Sequence, residues 1–451
     1  MDLIEGDIKK IYWKYLATSF GSAIIGCIYS VVDMAVVGQY QGPDGASALA
    51  VMAPLWNLIF SLGLFMGVGG SVLFSNIRGQ KEGNEKESNQ FFSVSLIGIA
   101  ILSLLAWLAL LIFERPLLIF SGGSDETILS LAESYLIPIK FVFPLFAFNT
   151  MLSAFLRNDN DPLLATVSTL SGGIFNVFGD IFFVFGLNMG IFGAGLATAI
   201  GAVISFLVLL IHFFLKKNTL KLVKIEHFFP KLLDVIRSGF STFFVDAAMG
   251  ILTILFNHQI MKFLGGDELA IYGTIINIST FAQCCAYSVG QAAQPIISIN
   301  YGAKKKDRIE KVLRLSLLTS LGFALFWTLL SMLGPNLCIR VFMNPTERIL
   351  LIAPNLIRIY AISFVLLPFN VFATYYFQSI MKPGAAFIIS IARGLLLSGA
   401  LILLLPLLNK DALWFAMPIT EIVVAIYTFV AMYLFTRKLP KEETDLLFKE
   451  V

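Results

Sequence analysis

ASALAVMAPLWNLIFSLGLFMGVGGSVLF, residues 46–74, runs for 29 residues without one Asp, Glu, Lys or Arg. About 20 mainly apolar residues in a helix cross the hydrocarbon core of a bilayer. Backbone polar groups in lipid must be satisfied within the segment, which leaves the α-helix as the economical form. The stretch therefore predicts a transmembrane helix, and eleven others like it flank it. The twelve spans fall at about 12–38, 46–74, 91–113, 129–155, 162–187, 190–215, 235–262, 268–299, 312–333, 348–376, 384–407 and 411–436. Tight turns separate most of them, such as Gly42-Pro43-Asp44-Gly45 and Gly265-Gly266-Asp267.

Composition agrees. Of 451 residues, 57% are hydrophobic and 14% charged, with a mean hydropathy of +0.83. Soluble domains carry roughly 25% charged residues, so a water-soluble fold is excluded. Cys27, Cys284, Cys285 and Cys338 show no zinc or thioredoxin spacing and read as free thiols. The start, MDLIEGDIKK, is acidic and precedes an apolar run too long for a cleavable signal.

Charge sets the expected direction. With the span-end residues Arg237, Lys262, Arg314 and Arg348 counted to their adjoining loops, the N-terminus, the even-numbered loops and the tail hold 23 of the 32 Lys and Arg, the odd-numbered loops 5. The positive-inside rule then places both termini in the cytoplasm. The densest clusters, 216–231 and 303–311, read as cytoplasmic anchors rather than nucleic-acid sites.

The chain also repeats. Leu49-Ala50 and Asn57 match Leu269-Ala270 and Asn277, Pro162 matches Pro383, and GVGGSVLFSNIRGQKEG (67–83) matches VGQAAQPIISINYGAKKKD (289–307). Six spans per repeat make the two copies parallel, related by an axis along the membrane normal. The expected fold is an all-α membrane protein of twelve helices in two six-helix lobes. The divisions are a first lobe at 1–215, a basic linker at 216–234, a second lobe at 235–436 and a cytoplasmic tail at 437–451.

At these residues the chain resembles the multidrug and toxic compound extrusion (MATE) family. The resemblance rests on QPIISINYGAKKKDR (294–308), its first-half counterpart 67–83, Asp33-Met-Ala-Val-Val-Gly38, and the stretch from Asn176 to Gly195 with its Asn-x₃-Asp. It implies a secondary active antiporter in the cell membrane. Such a protein exports amphipathic, often cationic, organic compounds against protons or sodium and needs no cofactor. Small organic substrates and membrane lipid are the expected partners, nucleic acid is not, and a monomer is expected. The acid-bearing first lobe resembles the DinF-like branch. The NorM-like branch carries an acid in span ten, and 348–376 has none.

An ionisable side chain at the membrane centre costs roughly 2.5–3.5 kcal/mol on the insertion scale. Asp33, Asp180, Asp246 and Glu421 must therefore be paired, protonated or turned to a wet cavity. By helix rise, Asp33, Asp180, Asn176, Thr198 and Tyr135 share a depth in the outer half of the first lobe. Asn176 and Asp180 are one turn apart on one face. That the five converge as a cation or proton site is implied by the resemblance alone. The bland alternative is that Asn176 and Asp180 only hydrogen-bond between helices. The repeat maps Asn176 and Asp180 onto Leu397 and Leu401, so the second half has no copy of this site.

Asp246, Arg393 and Glu421 form a candidate second-lobe polar network near the midplane. It reads as a structural Arg393–Glu421 pair or as a substrate or proton contact. Lys140 and Arg358 are expected to snorkel or to line the cavity. Family members commonly have a proline about fifteen residues before the span-one acid. Thr18 stands there in this chain, so any bend in span one falls to Gly21 and Gly26. A flippase for a lipid-linked saccharide is the alternative function, and it would need several cavity cations. A membrane enzyme is not expected, for want of a His/Glu metal cluster, a nucleophile elbow or a phosphate loop. No metal is expected beyond sodium at the cation site.

Overall fold

The computed structural model describes residues 2–80, 85–121, 123, 125–342 and 345–440. Residues 81–83 of the first repeat motif and 441–451 of the tail lie outside the described residues. All regular structure among those described is helical. The membrane helices are α1 (Ile8–Gly42), α2 (Asp44–Gly79), α3 (Glu85–Phe120), α4 (Glu126–Lys140 with Phe143–Asn158), α5 (Pro162–Gly186), α6 (Gly190–Phe214), α7 (Phe228–Phe263), α8 (Gly266–Gly302), α9 (Lys306–Leu333), α10 (Glu347–Ser379), α11 (Pro383–Leu408) and α12 (Lys410–Arg437).

Eleven of these are single helices long and apolar enough to cross a bilayer, and α4 is a pair bent by 60°. The sequence predicts an unbroken span at 129–155. The bend falls at Val142, directly before the Phe143-Pro144 start of the second piece. Pro144 has no N–H to continue the ladder, and its ring crowds the preceding turn. Most helices also outrun the apolar stretches, and polar side chains cap the starts of some of them. The Asp7 carboxylate accepts from the Lys10 N–H at 3.0 Å, and the Asp125 carboxylate from the Thr127 N–H at 2.8 Å. Between α1 and α2 the expected turn narrows to one residue, Gly42, whose φ of 69° suits a residue without Cβ. A short helix, Pro335–Phe342, precedes α10 and has no counterpart in the sequence reading.

The apolar core divides as the repeat predicts. One cluster is drawn almost wholly from α1–α6, among them Ile59, Phe92, Tyr135 and Phe155. A second gathers Phe256, Tyr272, Tyr360 and Trp414 of the second half. A third joins Ile11, Tyr12 and Tyr15 of α1 to α8–α12, so the first turns of α1 sit in the other lobe.

The lobes meet at the end that carries the basic clusters. Gly79 of α2 and Gly302 of α8 lie so close that a Cβ on either would run into backbone, the Ile299 carbonyl for one and the Asn76 carbonyl for the other. Beside them the Asn158 and Gln294 amides exchange hydrogen bonds of 3.0 and 3.1 Å, and the Ser75 hydroxyl donates to Asn158 Oδ1 at 2.6 Å.

The basic linker is strapped to the first lobe. The Lys221, Val223 and Glu226 N–H groups donate to Asn89, Ser93 and Gln90 of α3 at 2.9, 3.0 and 2.9 Å. Its start is pinned at Asp159 and Asp161. The two ring nitrogens of His212 bridge these carboxylates at 2.7 and 2.9 Å, and Lys217 reaches Asp161 at 2.8 Å. Burial pushes the Asp161 carboxyl up, but the His212 and Lys217 contacts outweigh it and hold the group below its ordinary value. α7 begins at Phe228, earlier than the expected 235, so the linker is shorter than the sequence suggests.

Candidate functional site

The first-lobe site is set by the close approach of α5 and α6. Gly172 and Gly179 of α5 face Gly201 and Ala197 of α6, with no room for larger side chains. That packing puts Asn176 beside Thr198, where Asn176 Nδ2 donates to Thr198 Oγ1 at 3.0 Å. Gly195 of α6 admits the Tyr135 backbone of α4 in the same way. Tyr135 Oη lies 3.3 Å from Thr198 Oγ1 and donates to Asp33 Oδ2 of α1 at 2.9 Å. Four of the five predicted residues thus form one hydrogen-bonded chain across four helices.

Asp180 completes the set without joining the chain. It is 0% exposed and lies within electrostatic reach of Asp33. Both of its carboxylate oxygens lack a donor among the described residues, and so do Asp33 Oδ1 and Asn176 Oδ1. Four buried acceptors without donors call for a hydrogen-bond donor or a positive charge among them. Protons can supply it, since like carboxylates at close range favour retaining one. Sodium can also, because carboxylate, amide and hydroxyl oxygens are hard ligands of the kind small cations take. No cluster of three His, Cys, Asp or Glu side chains suited to a transition metal occurs among the described residues. Directly after Asp180 the helix widens into a π-turn, Ile181–Gly186. Such turns are frequent at functional positions, and periodicity does not reveal them.

In the second lobe Arg393 Nε donates to Glu421 Oε1 at 2.6 Å, with both side chains buried. Asn370 Nδ2, which the sequence reading did not single out, donates to Glu421 Oε2 at 2.7 Å and to the Glu421 carbonyl at 3.0 Å. Arg393 itself sits in a π-turn, Ala392–Leu396. Asp246 is not bonded to this pair. It accepts from Tyr287 Oη, which in turn accepts from Gln283 Nε2. Gln283 and Tyr287 lie one turn apart on α8, a spacing that could have flagged them.

A cavity of about 270 Å³ lies between the lobes. Asn176 and Thr198 line it, as do Tyr29, Phe60 and Phe146 of the first half and Cys284, Tyr287 and Gln291 of α8. Lys140 and Arg358 do not. Lys140 pairs with Glu114 and Arg358 donates to the Met332 carbonyl, which sets aside the cavity-lining alternative and leaves the snorkelling one. The cation that does line it is Arg157, which the sequence reading assigned to a loop. The α1 helix stays regular through Gly21 and Gly26, its sole non-helical residue being the terminal Gly42. Thr18 Oγ1 turns back to the Lys14 and Tyr15 carbonyls at 3.0 and 2.9 Å.

Comparison with known proteins bears on these features together. The family profile MatE matches residues 19–182 and again 241–404, once in each half. The multidrug export protein MepA of Staphylococcus saprophyticus is 22% identical over 429 residues, covering 94% of this chain and 93% of that protein. MepA of Staphylococcus haemolyticus is 22% identical over 98% of this chain and 97% of its own length. Among solved structures, an outward-facing multidrug resistance MATE transporter of the MOP superfamily superposes with a TM-score of 0.84 at 21% identity, covering 97% of this chain and 98% of that one. The MATE multidrug transporter DinF-BH in complex with R6G gives 0.85 at 24% identity, covering 96% and 98%. Twelve helices in two lobes and a profile that matches each half lead to one assignment: this chain is a member of the MATE family.

Proposed function

We propose that the chain is a secondary active antiporter that exports amphipathic organic compounds in exchange for protons or sodium, by alternating access between its lobes. The observation that carries this is the set of four donorless buried oxygens on Asp33, Asn176 and Asp180, opening through Asn176 and Thr198 toward the interlobe cavity. An ion taken there and a compound held in the cavity would share residues, which is the physical basis for coupling them. The relatives named as multidrug exporters support small organic substrates. The MATE family is one of transporters, not enzymes. A flippase for a lipid-linked saccharide is less well served, since a large anionic headgroup needs several cations and more room than about 270 Å³.

The uneven distribution of Lys and Arg supports a cell-membrane protein with both termini in the cytoplasm. A reporter fused after Val451 is expected to work only if it is of a kind active in the cytoplasm. Activity of a periplasmic or extracellular type would reverse the topology.

The test of function is uptake of a fluorescent organic dye into inverted vesicles, under a proton gradient alone or a sodium gradient alone. Uptake under one of them is expected and identifies the coupling ion. Uptake under neither, with the protein present and folded, would overturn antiport.

A further inference from the structure

We propose that the interlobe cavity binds an aromatic compound through a carboxylate held by Arg157. The inference deepens the transport reading and rests on it, because it takes this cavity as the substrate's place.

Arg157 lies in the last turn of the second piece of α4 and is only 8% exposed. It is the one charged residue among those that line the cavity. No carboxylate pairs with its guanidinium among the described residues, its Nε has no acceptor, and the one titratable group within electrostatic reach is the Tyr375 phenol. The last turn of α4 offers carbonyl ends that ease the charge in part. They do not use a planar fork of five donors, which is shaped for a carboxylate's two oxygens. A buried guanidinium without a counter-ion is costly, and an anion arriving in the cavity would relieve that cost. The neighbouring acids are engaged by other groups: Asp159 by His212 and Arg78, Asp161 by His212 and Lys217, and Asp246 by Tyr287.

The cavity is polarised along its length. From Asn149, which lines its wall, to Arg157 is eight residues of α4, about 12 Å of helix rise. Asn176 and Thr198, partners in the two-acid site, line another part of the wall, and Phe60, Phe146 and Tyr29 supply aromatic surface. A flat aromatic body with a carboxylate directed to Arg157 fits this distribution of charge. A further cationic group on the same compound would be drawn toward the acids.

The experiment compares a rhodamine that carries a free carboxylate with its ethyl ester, two probes of one scaffold. Equilibrium binding to the purified protein is followed by fluorescence anisotropy, with no gradient present. The acid is expected to bind about ten- to hundredfold more tightly than the ester, the range of charge-assisted hydrogen bonds. Arg157→Gln should erase that preference by weakening the acid while leaving the ester unchanged, and Arg157→Lys should keep part of it. Equal binding of acid and ester by the wild type overturns the proposal even if the Gln variant fails to fold. A preference that survives Arg157→Gln overturns it too, and so does binding of neither dye. Failure of ion coupling would appear only in vesicles, so the two readings fail separately.

Discussion

Asp33→Asn and Asp180→Asn are each expected to reduce gradient-driven export to the level of empty vesicles while leaving the folded yield unchanged. The amide has the carboxylate's shape and is cheaper to bury. At position 33 its oxygen can still accept the Tyr135 hydroxyl, which now bonds Asp33 Oδ2 at 2.9 Å. What it cannot do is gain and release a proton or neutralise a cation. An inward-negative potential provides about 2.3 kcal/mol per charge per 100 mV. That drive reaches the exported compound only if the ion's site changes with the lobes. Dye binding at equilibrium should survive in both variants, because the cavity's wall is otherwise intact. Efflux with and without an imposed gradient, beside dye affinity, is the measurement. If both variants pump at wild-type rates under a gradient, coupling lies elsewhere, and Asp246 with its Tyr287–Gln283 chain becomes the leading candidate.

The second large effect is on folding. Arg393→Ala should leave Glu421 fully buried with Asn370 as its remaining polar partner, at a cost of about 3–5 kcal/mol, the usual result of breaking a buried pair from one side. Glu421→Gln should cost less, since its amide oxygen can still accept from Arg393. Replacing both at once, Arg393→Met with Glu421→Leu, should recover most of the folded yield in detergent, because no uncompensated charge remains. Should Arg393→Ala and Glu421→Gln both fold normally and yet abolish export, the pair serves transport and not the fold.

Much of the architecture was legible because lipid imposes a coarse rule. A charge-free run such as 46–74 has one economical structure, and the repeat of 67–83 at 289–307 carries the two-lobe plan. The break in α4 was less legible, since Pro144 lies in a stretch that is apolar throughout, and hydropathy does not register a missing N–H. The site was half legible. Shared depth and helical spacing grouped Asp33, Asp180, Asn176, Thr198 and Tyr135, but only the close approaches at Gly172–Gly201 and Gly195–Tyr135 explain why four of them are linked by hydrogen bonds. Arg157 was misread because a lone arginine beside a turn looks like a loop charge. Whether its side chain points to water or back between the lobes depends on how α4 bends, which one-dimensional spacing does not carry. Asn370 was passed over because an amide within a span has no charge to draw notice.

The strap along α3 changes what joins the halves. With residues 219–226 held by Asn89, Gln90 and Ser93, that stretch travels with the first lobe. The leash between the halves is then not the whole basic segment but the single corner at His227, where φ turns to +56° immediately before α7. The first turns of α7 beyond that corner still rest on the first-lobe core through Phe228, Leu232 and Val235, so the covalent joint is short and held on both sides. A chain severed at 217 and one severed at 227 would therefore not be equivalent. The first cut sends the docking strand out with the second fragment, so that two separately made halves carry their own means of finding each other. The second cut leaves the strand behind, and the halves rely on direct contacts such as the face where Gly79 meets Gly302 and the seat of the first turns of α1.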